Sequence, residues 1–99
     1  MIDLQNDCAL NAVCAATELE SHNVKNDILR LRWTRDGDKG SHVICIFKFK
    51  DRLRGYDPNF GTFTFPKNLT FDSHPTTIAK CWAKNHDFEP KVYKGEWYE

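Results

Sequence analysis

The chain has 99 residues, 40% apolar and 28% charged, which suits one compact domain over residues 1–99 with a single modest core. Its 14 basic and 14 acidic residues cancel, so no net field is available to hold nucleic acid or an anionic membrane. No apolar run approaches the ~20 residues that span a bilayer, and the N-terminus lacks the basic and apolar stretches of a signal peptide.

Asn6 and Asp7 are good N-caps, and the run from Cys8 to Glu20 predicts a helix with Leu10, Val13, Cys14 and Ala16 or Thr17 on one apolar stripe. Ser21-His22-Asn23 ends it. Over residues 28–35, Leu29, Leu31 and Trp33 alternate with Arg30, Arg32 and Thr34, the period of a strand with one wet face. A short helix over 24–32 also fits, through Ile28, Leu31 and Arg32. Asp36-Gly37-Asp38-Lys39-Gly40 is a loop by composition. Segments 41–49, 52–57 and 61–65 are rich in β-branched and aromatic residues. Their connections are too short for crossover helices, so they pair antiparallel, and Pro66 ends the third. A second helix is expected over 75–85, with Pro75 in its first turn, Ser73 or His74 as cap, and Ile78, Cys81 and Trp82 on its apolar face. Residues 90–98, with Val92, Tyr93 and Trp97, read as a last edge strand. The order of elements makes the expected class α+β.

Four cysteines stand at positions 8, 14, 45 and 81. Cys8 and Cys14 fall on different sides of one expected helix, and Cys14, Cys45 and Cys81 lie in apolar context. That pattern reads as reduced thiols in an intracellular protein. The absence of any Cys-x-x-Cys pair argues against a structural zinc.

Cys8 stands out among them because it falls at a helix start. Unpaired N–H groups and the helix dipole there favour a thiolate, and the same N–H groups can hold an oxyanion. His42 opens the strand 42–49, where it can face that helix start. Asp57 closes the next strand. A turn centred at Lys50-Asp51 sets Phe49 opposite Arg52 and Ile44 opposite Asp57, so His42 and Asp57 become diagonal neighbours on one face, with Cα atoms roughly 7–8 Å apart. A slip of one residue would put them on opposite faces. Asp57 also reads as a turn residue, because Asp-Pro-Asn favours turn initiation. A nucleophile, a base and an orienting acid make up the generalised triad.

Ser41-His42-Val43, followed by Gly55-Tyr56-Asp57-Pro58-Asn59-Phe60-Gly61-Thr62-Phe63, resembles the YopT-type cysteine proteases of the papain-like superfamily. In that family the histidine and an aspartate within Asp-Pro-Asn-Phe/Tyr-Gly are separated much as His42 and Asp57 are here. Asp7-Cys8 resembles the superfamily's Asp-Cys openings. The resemblance implies Cys8, His42 and Asp57 as catalytic triad. It also implies a minimal papain-like fold, with the N-terminal helix carrying the cysteine packed on a small antiparallel sheet and a C-terminal helix beside it. The interval from Cys8 to His42 is much shorter than in the YopT-type enzymes, so the lobe that shapes their cleft is mostly missing. Their oxyanion-hole side chain corresponds to Asp3, which cannot donate when ionised. Gln5 and Asn6 are the available substitutes.

The reaction expected from these residues is acyl transfer through a thioester on a protein or peptide amide, by hydrolysis, deamidation or a transglutaminase-like route. It needs no metal and no cofactor. A monomer in a reducing cytoplasm fits that chemistry, and action in its own cell or delivery into a host cell as an effector stays open. One rival is a catalytically silent papain-like fold acting as an inhibitor or effector module, binding protein through Trp33, Tyr56, Phe60, Phe63 and Trp97. Nucleic-acid binding through Arg30, Arg32, Lys48, Lys50, Arg52 and Arg54 is disfavoured by the zero net charge.

Overall fold

The computed structural model describes residues 24–57 and 59–98. In chain order these form β1 (Asn26–Arg35), β2 (Asp38–Phe49), β3 (Arg52–Asp57), β4 (Gly61–Thr64), the helix α1 (Pro75–Asn85) and β5 (Lys91–Trp97).

Two tight turns shape the first three strands. Asp36 and Gly37 have φ of 51° and 86°, and Lys50 and Asp51 have φ of 51° and 64°. Positive φ at both turn positions gives the hairpin twist that two-residue loops need. The first turn pairs Arg35 with Asp38, and the second pairs Phe49 with Arg52. The sheet is antiparallel throughout, in the order β4-β3-β2-β1-β5. The last strand therefore returns beside the first, and β4 and β5 form the two edges.

Alternation sorts the side chains onto two faces. Leu29 and Leu31 of β1, Ile44 and Ile46 of β2 and Leu53 of β3 turn toward α1, which contributes Ile78, Ala79 and Trp82 to the same core. Phe65, just past β4, is fully buried with them. Each such large apolar side chain stabilises the fold by roughly 1.5–3 kcal/mol when removed from water. The opposite face carries Arg30, Arg32, Arg52 and Arg54, together with the fully buried Cys45.

The helix starts at His74, whose ring Nδ1 accepts from the Thr76 N–H at 3.1 Å, with Pro75 following in the first turn. It lies unusually close to β5 at Gly95. A Cβ there would meet the Pro75 carbonyl oxygen and come within 2.6 Å of the Ala79 Cβ. Thr76 bridges the same contact, its Oγ1 accepting from Gly95 N–H at 3.1 Å and donating to Gly95 O at 3.3 Å. At the other end, Asp87 takes a φ of 48° and the Phe88 N–H bonds back to Ala83 O at 3.1 Å. This is a Schellman closure with aspartate in the place glycine usually takes.

The expectation of an α+β, minimal papain-like fold with two helices is corrected by this architecture. The described residues are 53% strand and 15% helix, a five-stranded antiparallel sheet covered by one short helix. The physical reason is that period-two alternation runs almost without a break from Asn26 to Thr64, interrupted only by short turns, and resumes at Lys91. The helical alternative over 24–32 gives way to β1 for the same reason. The helix expected over 8–20 lies outside the described residues. Among the described residues no helix is long and apolar enough to cross a membrane.

Candidate active site

The hairpin β2–β3 builds the centre of the site. Its register runs from Phe49 opposite Arg52 to Cys45 opposite Tyr56. One step further brings Asp57 level with Ile44, so Asp57 and His42 share the face that α1 covers. There His42 Nε2 is hydrogen-bonded to Asp57 Oδ2. The carboxylate is fully buried, and the His42 side chain is 12% exposed.

A buried carboxylate is costly unless its oxygens are paired. Both oxygens of Asp57 are used. Oδ2 takes the imidazole, and Oδ1 accepts the Asn59 N–H at 2.7 Å. The Phe60 N–H bonds to the Asp57 backbone carbonyl at 3.0 Å, which closes the turn leading into β4. The turn reading and the site reading of Asp57 are therefore compatible, since one carboxylate serves both. When the carboxylate is ionised it only accepts, and Nε2 then carries the hydrogen of that bond. In the neutral ring this fixes the tautomer and leaves Nδ1 as the nitrogen able to accept a proton.

Aromatic rings hold the imidazole in place. Trp82 lies 5.9 Å from the His42 ring at an interplanar angle of 31°, and Phe88 lies 6.0 Å away at 29°. Trp82 and Phe88 also contact each other at 5.3 Å. Trp82 is fully buried at the end of α1, and the Schellman closure turns Phe88 back toward it. Phe60 meets Trp82 edge-on at 5.3 Å and is 42% exposed. His86 completes the wall, 4.8 Å from Trp82, with its Nδ1 bonded to Trp82 O at 2.8 Å.

Of the residues expected at the site, the structure brings His42 and Asp57 together. Cys8, Gln5 and Asn6 lie outside the described residues. Sequence reasoning placed Trp82 on the helix's apolar face without linking it to His42, and it missed Phe88 altogether. No local pattern signals either contact, because both are made across some forty residues of chain. The remaining cysteines with a described environment, Cys45 and Cys81, are free thiols. Burial pushes the Cys45 thiol up to about 11, with the Asp27 charge adding to the effect. Burial likewise raises Cys81, against the opposing pull of Lys84 and the Asn85 hydrogen bond. Neither has the depressed pKa of an activated nucleophile. Among the described residues, no three His, Cys, Asp or Glu side chains gather into a metal-holding group. The chain matches no protein-family model, no curated protein sequence and no solved structure.

Proposed function

We propose that the protein is a thiol-dependent acyl-transfer enzyme of the cysteine-protease kind, acting on a protein or peptide amide. His42 is the base, Asp57 orients it, and Cys8 is the nucleophile. The observation that carries this reading is the His42–Asp57 pair, in which a fully buried carboxylate holds Nε2 and leaves Nδ1 for proton transfer. The resemblance of Asp57-Pro58-Asn59-Phe60-Gly61 to the YopT-type motif supports it.

In this mechanism His42 Nδ1 takes the proton of the Cys8 thiol, and the thiolate attacks the amide carbonyl carbon. The backbone N–H at Cys8, with Gln5 or Asn6, holds the oxyanion. Collapse of the intermediate breaks the C–N bond, and the amine leaves with the proton from His42. Water then gives up a proton to His42 and attacks the thioester, releasing the acid and the thiol. An amine in place of water gives transamidation. The chemistry needs a reduced thiol, which suits a reducing, cytoplasmic compartment, and a single copy of the chain supplies all three groups.

The test is the rate of Cys8 alkylation by iodoacetamide from pH 4 to 9, with Cys14, Cys45 and Cys81 replaced and the fold checked. The expected result is a midpoint well below the free-thiol value of ~8.5, displaced upward by His42→Ala. An ordinary midpoint, unchanged by His42→Ala, would remove the enzyme reading. The exposed ring of Phe60 beside Trp82 would then favour a protein-binding module built on the same sheet.

A further inference from the structure

We propose that a pocket on the opposite side of the sheet, between β1 and β5, binds a small oxyanion, a carboxylate or a phosphate group. The pocket has a volume of about 320 Å³ and is lined by Arg30, Arg32, Glu96, Trp97 and Tyr98. Its position follows from strand alternation. Leu29 and Leu31 face the core, so Arg30 and Arg32 project from the other face, away from His42.

The two arginines differ in what they already hold. Arg32 is committed, its Nε donating to Glu96 Oε1 at 2.6 Å. Lys94 Nζ lies 3.7 Å from the other oxygen of the same carboxylate. Glu96 is the direct cross-strand partner of Arg30, yet its carboxylate reaches diagonally to Arg32. That hydrogen bond, with the charges of Arg32, Lys94 and Arg30, holds the Glu96 carboxyl below its ordinary range against the opposing effect of desolvation. Arg30 makes no ion pair among the described residues. Its guanidinium lies over the Tyr98 ring, 4.7 Å from the centroid, and its Nε is shut off from water with no hydrogen-bond partner.

Arg32 and Lys94 therefore share one carboxylate while Arg30 has none of its own, which leaves the pocket positive, and the arginine with donors to spare stands on an aromatic platform. A stacked guanidinium is preorganised to present its N–H fork to a planar or tetrahedral oxyanion. Such a ligand would neutralise the excess charge and meet a donor fork that no side chain now occupies. The zero net charge of the chain does not oppose this, because the potential is local to the pocket.

The experiment is an amide chemical-shift titration of the full chain with inorganic phosphate, and separately with acetate, at constant ionic strength set by sodium chloride. Saturable shifts are expected at residues 30, 32, 96 and 98, with affinity weakened about tenfold or more by Arg30→Gln. Arg30→Lys should weaken it less, and Lys67→Gln should leave it unchanged. Tighter binding of phosphate would assign a phosphoryl ligand, and tighter binding of acetate a carboxylate. If Arg30→Gln fails to fold, Tyr98→Leu tests the same site by removing the platform. Shifts that do not saturate, or that survive both Arg30→Gln and Tyr98→Leu, would overturn the proposal.

Discussion

Asp57 holds His42 with one carboxylate oxygen and the Asn59 backbone N–H with the other, so the group that orients the imidazole is itself fixed by the turn that follows it. Replacing Asp57 by Asn keeps the shape but removes the charge and swaps one acceptor for a donor. The expected result is a folded protein in which Cys8 alkylation at neutral pH slows sharply. Acyl transfer on any substrate should fall by roughly 10²–10⁴-fold, the range expected when general-base catalysis is lost. Asp57→Ala should also destabilise the fold, because the imidazole edge loses its partner in a dry site. Urea unfolding of both variants separates the two effects, since only the alanine should move the midpoint strongly.

Among the described residues Trp82 is the largest fully buried side chain, and it forms the inner wall of the site. Trp82→Ala should cost about 3–5 kcal/mol of stability, read as a lower denaturation midpoint. Trp82→Phe keeps most of the apolar volume but widens the gap to the imidazole. It should leave the protein folded while changing the pH profile of Cys8 alkylation, an effect that loss of packing alone would not produce.

Gly95 lets α1 rest directly on β5. Gly95→Ala should destabilise by about 1–3 kcal/mol, as expected when a close-packed contact is overfilled. Because α1 carries Trp82, the amide and ring signals of His42 should shift in the same variant. A thermal melt together with a proton–nitrogen spectrum checks both expectations, and unchanged His42 signals would show that the helix and the site are uncoupled.

The pairing of His42 with Asp57 is legible in the sequence, and the reason is geometric. A two-residue turn and a period-two pattern leave few registers, and a slip of one residue from the observed one would put the two on opposite faces. The boundaries of α1 were legible from Pro75 and its apolar spacing. The pairing of β5 with β1 was not, because partner choice between distant strands leaves no local trace. The aromatic wall was hidden for the same reason, since Trp82 reads equally well as ordinary core. The fold class went astray because a helix expected over 8–20 was weighed equally with the strands to give an α+β order, and the resemblance around His42 and Asp57 then added a papain-like architecture; among the described residues the period-two alternation dominates.

Cys45 gives the stability a pH dependence of its own. Its thiol is pushed up to about 11 in the folded protein from an ordinary value of 9.0. Below pH 9 both the folded and the unfolded chain keep the proton, and this group adds no slope. As pH rises through that window the unfolded chain releases the proton first, so stability falls until the folded thiol also ionises near 11. Urea midpoints measured from pH 8 to 11 should therefore decline more steeply in the wild type than in Cys45→Ala. Parallel curves would mean that the buried thiol is not the source.

The return of β5 to the side of β1 has a consequence for the order of events during synthesis. Leu29 pairs with Trp97 across nearly the whole described chain, and such distant contacts form late because the intervening loop must first be closed. The hairpin bearing His42 and Asp57 leaves the ribosome well before Trp82, Phe88 and β5. Until the final strand docks and seats α1, the bond between imidazole and carboxylate stands in water, where it is weak. The pair of His42 and Asp57 is therefore completed only with the last contact of the fold, and a chain cut short before β5 would hold both residues without the wall that keeps water from them.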